Sequence, residues 1–144
     1  MNNVDIKILS TITETADMGR DSINHVIEKA TDPQLKAALQ KQFSQYDQAY
    51  KMAQHMLNVN GKNPQKVAAP VKMYSHMVSD IKAMTAENAN SKIAEMVIQG
   101  STMGVTEMTK ELNNYQGTNQ ELFRTAQKFI QTEQDNIEEM KKYL

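Results

Sequence analysis

The sequence predicts an all-α protein arranged as a four-helix bundle. Three observations carry this. Gly (5), Pro (3) and Trp (0) are scarce, while helix formers such as Ala, Gln, Lys, Glu and Met (11) are abundant. Apolar residues recur at spacings of three and four over long stretches, and no stretch alternates β-branched and polar residues with period two. Clusters of Gly, Pro and Asn punctuate the chain at only a few points. At 144 residues the chain suits one domain, residues 1–144, large enough to bury a core without disulfides or metals.

The first helix is expected over residues 3–30, where Leu9, Ile12, Ala16, Gly19, Ile23, Val26 and Ala30 form one stripe. It stops at "ATDPQL", in which Asp32 can cap the next helix and Pro33 can begin it without losing a needed N–H. The second helix, 33–59, carries Leu39, Phe43, Tyr46, Tyr50, Ala53 and Leu57, with Ala49, Met52 and Met56 widening its apolar face. "NVNGKNPQ" breaks the pattern, and Val71, Tyr74, Val78 and Ile81 then predict a short extra helix over 70–84. After "TAENAN", a helix over 87–115 carries Ile93, Met96, Val97, Gly100, Met103, Gly104, Met108 and Leu112. In "NNYQGTNQEL", Gly117 suits a helix C′ position and Thr118 with Glu121 suits a capping box. The last helix, 118–143, aligns Leu122, Ala126, Phe129, Glu133, Ile137, Met140 and Leu144. The plan is two antiparallel hairpins, 3–59 and 87–143, joined by a long crossover.

Composition excludes several function classes. Without cysteine there is no disulfide framework, thiolate metal site or thiol catalysis, and the absence fits a reducing cytoplasm. Net charge is −1, with Arg20 and Arg124 the arginines, a poor electrostatic footprint for nucleic acid or anionic lipid. No apolar run approaches the roughly 20 residues of a membrane span. "MNNVDIKILS" lacks the basic and apolar regions of a signal peptide. The expectation is a soluble cytoplasmic protein with no nucleic-acid or membrane partner. No phosphate loop, HExxH, GxSxG or EF-hand loop occurs, so an enzyme is the less favoured reading.

The runs "IEKATDPQLKAALQKQFSQYDQAYKMAQHM" and "FIQTEQDNIEEMKKYL", with "MGRDSINHVI" before "DP", resemble the small bacterial ferritin-like proteins of unknown function, the DUF2383 type. The resemblance covers most of the chain. It implies a ferritin-like antiparallel four-helix bundle of two helical hairpins with a short extra helix in the crossover. It also raises the question of a di-iron site, which needs a carboxylate on helices one and three and Glu-x-x-His on helices two and four. Here that pattern is degenerate. "EQDN" supplies Glu133 but places Asn136 where histidine would stand. Helix two offers Gln45 and Gln48, helix three Ser101 or a near neighbour, and helix one Asp17 or Asp21. Neutral amides cannot supply the charge that a pair of iron or manganese ions requires. The competing reading is a polar layer in which Gln45, Gln48, Glu133 and Asn136 hydrogen-bond one another and fix helix register. Glu133, on an apolar stripe, should then be partnered or protonated, with Arg20 and Lys128 as candidate partners.

A second constellation is written twice: "MAQHM" (Met52, His55, Met56) and "MYSHM" (Met73, His76, Met77). Thioether and imidazole at i, i+3 and i+4 can converge on one ion and suit Cu(I) or Ag(I). Against this, Met96, Met103, Met108 and Met140 lie on core stripes with no histidine near, so methionine filling gaps is the favoured account. His25, the remaining histidine, reads as a surface residue.

Three functional readings follow. The leading one is a non-enzymatic helical protein acting through assembly or protein interaction as a homo-oligomer, without a cofactor. The second is a metal-binding or redox protein, with iron or manganese at the bundle centre or copper at the Met/His motifs. The third is a small-molecule binder using a polar pocket between the hairpins.

Overall fold

A computed structural model describes residues 1–66 and 79–144 of the chain. Four long helices make up the bundle: α1 (Asn3–Val26), α2 (Pro33–Val59), α3 (Ala89–Asn113) and α4 (Gln120–Met140). Residues 79–83 are helical as well; most of the expected 70–84 helix lies outside the described residues. Among the described residues there is no strand, and no helix is long and apolar enough to cross a membrane.

Each helix start has a local cause. Asn2 and Asp5 form a reciprocal capping box on α1, with the Asp5 N–H donating to Asn2 Oδ1 at 2.9 Å. Asp32 caps α2 as expected, accepting from the backbone of Gln34 and Leu35, and Pro33 opens the helix. The first helix ends sooner than its stripe suggests. After Val26 it tightens into a 3₁₀ turn, Ile27–Lys29, and Ala30 is already extended.

The start of α4 corrects the expected box. Its cap is Asn119, whose side chain accepts from Leu122, and not Thr118. The Tyr115 hydroxyl accepts the Asn119 N–H at 3.2 Å and so holds that residue just outside the helix. Gly117 is not a left-handed C′ residue; among the described residues only Gly61 has positive φ. Its need for glycine is steric, because a Cβ there would lie 2.3 Å from the Tyr115 ring.

Helices α1 and α2 form one antiparallel hairpin, and α3 and α4 the other. Asn90, at the start of α3, hydrogen-bonds Thr31 in the α1–α2 turn. At the opposite end, Tyr115 donates to Asp5 at 2.7 Å. Thus α3 runs antiparallel to α1, and the crossover spans the length of the bundle. It departs past α1, where the Gln65 N–H donates to Ser10 Oγ. The core is continuous and includes Ile8, Leu9, Ile12, Leu35, Leu39, Leu57, Ile93, Met108, Leu122 and Met140. On α4 the stripe is turned slightly from expectation: Asn136 is buried, Ile137 only partly, and Leu144 is exposed.

Candidate functional site

Two glycines shape the middle of the bundle. A Cβ on Gly19 of α1 would lie 2.6 Å from the Tyr46 ring, and one on Gly104 of α3 would lie 2.7 Å from Glu133 Oε2. The α1 pit therefore receives the tyrosine of α2, and the α3 pit receives the carboxyl of α4. Between α1 and α3 a cavity of about 350 Å³ remains. Met18, Ile23, Met96, Val97 and Met103 make much of its wall, and Gly100 opens it, since no atom of the described residues lies within 4 Å of a Cβ there. Gln42, Tyr46, Ser101 and Glu133 supply polar groups at its inner side. Lys7, Glu14, Glu107, Glu111, Gln65 and Lys66 also border it, and Lys7 pairs with Glu111 across α1 and α3 at 3.7 Å.

The inner groups are held in an unusual state. Glu133 is 1% exposed, and among the described residues no group hydrogen-bonds either carboxyl oxygen. Burial pushes its pKa up to about 7, although the neighbouring Tyr46 and Ser101 hydroxyls favour the charged form. Those hydroxyls come close to Glu133 without hydrogen-bond geometry; they lie 3.5 Å from each other. Burial, then the Glu133 charge, drives the Tyr46 phenol well above its ordinary value, so it remains a neutral donor. Gln42 is fully buried with both side-chain polar atoms unpartnered, and Asn136 Nδ2 is unpartnered as well. Buried polar groups in this condition are normally paired, because an unmade bond costs about 1–3 kcal/mol. The arrangement can accept a proton, a hydrogen bond or a cation from inside an apolar-walled cavity.

Residues 5–114 match the family described as domain of unknown function, DUF2383. The chain belongs to the DUF2383 family. No curated protein matches it. A crystal structure of a DUF305 fragment from Deinococcus radiodurans shares its fold, with a TM-score of 0.81 over 97% of this chain and 94% of that one at 11% identity.

The expected centre of this DUF2383 protein is partly assembled. Glu133, Asn136 and Ser101 are buried in it. Gln45 is half-buried with its Oε1 unpartnered, and Gln48 is exposed. Gln42 holds the inner position instead, three residues after Leu39 and four before Tyr46. Gln48, six residues on, lies about 240° round the helix. A mutually hydrogen-bonded layer is not what forms.

Asp17 is exposed and pairs with Arg20 at 2.7 Å, while Asp21 lies beside the exposed His25 at 3.6 Å. Neither expected partner reaches Glu133. Arg20 bridges Asp17 and Asp47 and stacks 3.9 Å over the Tyr50 ring, and Lys128 is exposed. Among the described residues no three His, Asp or Glu side chains cluster closely enough to hold a metal ion. One buried carboxylate among amides does not fit a di-iron centre. At the Met/His motif of α2, Met52 and His55 are exposed and Met56 packs partly against the core. Met73, His76 and Met77 lie outside the described residues.

Proposed function

We propose that this DUF2383 protein binds a small molecule with an apolar body in the cavity between α1 and α3. The observation that carries the reading is the buried, unpartnered pair Gln42 and Glu133 at the inner side of a methionine-rich wall. A cavity of about 350 Å³ falls within the roughly 300–1,000 Å³ of small-molecule sites, and apolar walls with a few convergent polar groups are their usual make-up. Flexible methionine suits a wall that must mould to a ligand. The two-hairpin wiring with its long crossover supports kinship with ferritin-like bundles, with the carboxylate-rich centre of that fold replaced by a binding pocket.

Assembly into a homo-oligomer has weaker support. Most of the apolar faces of α2 and α3 turn inward, and among the described residues the exposed large hydrophobics are Met1, Val4, Met52, Val59 and Leu144. The test follows the methionine methyl resonances during a titration with 1-hexanol, for wild type and Gly100→Phe. Saturable shifts at Met18, Met96 and Met103 are expected in wild type. Gly100→Phe should abolish them while helix content by circular dichroism stays unchanged. Shifts scattered over all methionines, or none, would sink the reading.

A further inference from the structure

The inner end of the cavity has a polarity that narrows the ligand class. Glu133 lies in it with both carboxyl oxygens unpartnered at 1% exposure. The two cations the sequence offers nearby are committed elsewhere, Arg20 to Asp17 and Asp47 and Lys128 to the surface. An ionised carboxylate in an apolar cavity is strongly unfavourable unless a positive group meets it there. We propose that the cavity takes an organic cation, a primary ammonium on a short apolar chain, with its ammonium seated on the Glu133 carboxylate. This rests on the cavity being a small-molecule site and adds the charge of the occupant.

The lining offers acceptors for the three donors of an ammonium in Glu133, Gln42 Oε1 and the Tyr46–Ser101 hydroxyl pair. The hydrocarbon chain would then lie along Met18, Met96 and Met103. The border of the cavity has the matching sign, because among the described residues its acidic members Glu14, Glu107 and Glu111 outnumber Lys7 and Lys66. Long-range attraction therefore favours entry of a cation over an anion.

Binding in this form is linked to pH. An aliphatic ammonium keeps its proton below about pH 10, so the titrating partner near neutrality is Glu133. Among the described residues the other titratable groups facing the cavity are Tyr46 from α2, Lys7 and Glu14 from α1, Glu107 and Glu111 from α3, and Lys66 from the crossover. With Glu133 titrating at about 7 in the empty protein, affinity should fall by close to tenfold per pH unit below 7 and level off above it.

Calorimetric titration with hexylammonium, 1-hexanol and hexanoate, at pH 8 and pH 6, tests this on wild type and Glu133→Gln. Hexylammonium is expected to bind wild type at least tenfold more tightly than 1-hexanol at pH 8, with most of that preference lost at pH 6. Hexanoate should bind most weakly. In Glu133→Gln the preference for the amine should vanish, while helix content by circular dichroism stays that of wild type. Equal binding of amine and alcohol, tighter hexanoate, or an amine preference that survives Glu133→Gln would overturn the cation while leaving the cavity a binding site. Failure of all three probes to bind wild type would remove both.

Discussion

The bundle uses glycine in opposite ways on its two sides. At Gly19 the missing side chain lets the Tyr46 ring press against α1, so the first hairpin closes tightly. At Gly100 of α3 none of the described residues comes near, and the missing side chain leaves open space. Contacts within each hairpin are correspondingly extensive, whereas α1 and α3 stand apart around a cavity with buried polar groups at its inner side. The same four helices therefore separate close packing from open space by location. The faces within each hairpin hold the fold, and the seam between hairpins carries the unsatisfied chemistry.

Core truncation should produce the largest break on the closed side. Leu39 is fully buried, and Leu39→Ala removes its transfer energy and leaves a void, for a loss of about 2–5 kcal/mol in chemical denaturation. A loss under about 1 kcal/mol would mean that the closed side is not close-packed.

The second effect belongs to the seam. Glu133 is raised from 4.5 to about 7 in the folded state. Folded protein thus holds this proton more tightly than unfolded protein, and the contribution to stability falls as pH rises from about 4.5 to 7. At 1.36 kcal/mol per pKa unit the total is roughly 3 kcal/mol. Relative to wild type, Glu133→Gln should therefore gain about that much stability between pH 4.5 and pH 8, measured as the difference between the two unfolding curves. A pH-independent difference would show that Glu133 titrates normally.

The glycine contrast itself supplies the smaller effects. Gly19→Ala places a methyl group against a rigid aromatic ring and should destabilise by about 1–3 kcal/mol. Gly100→Ala meets none of the described residues and removes a glycine from mid-helix, so it should stabilise by about 0.5–1 kcal/mol. If both variants moved thermal unfolding in the same direction, the two-sided picture would fail.

Much of the architecture was readable because helix periodicity reports which faces turn inward. The stripes through Leu9, Ile12 and Ala16 and through Leu122, Ala126 and Phe129 are buried as expected. Asp32–Pro33 marked its helix start through local chemistry alone. Where a distant side chain decides, the sequence misleads. Thr118 and Glu121 make a plausible box, yet the Tyr115 hydroxyl holds Asn119 as the cap. The cavity was the hardest feature to foresee. Gly19 lies on the inward stripe of α1 and Gly100, Met103 and Gly104 on that of α3, and periodicity cannot say whether two inward faces touch or stand apart. Glu133 was legible as a carboxylate on an apolar stripe. Gln42 was missed although its phase between Leu39 and Tyr46 places it on the buried side.

The contact between Asp5 and Tyr115 joins residues 110 positions apart and depends on both hairpins being docked. Each hairpin closes through local contacts, which form quickly, whereas this clasp must await closure of a far longer loop. A pocket bounded by both hairpins exists only after that late event. Folding thus builds the scaffold before the site, and any fluctuation that parts the hairpins at this end dissolves the site while leaving the helices standing.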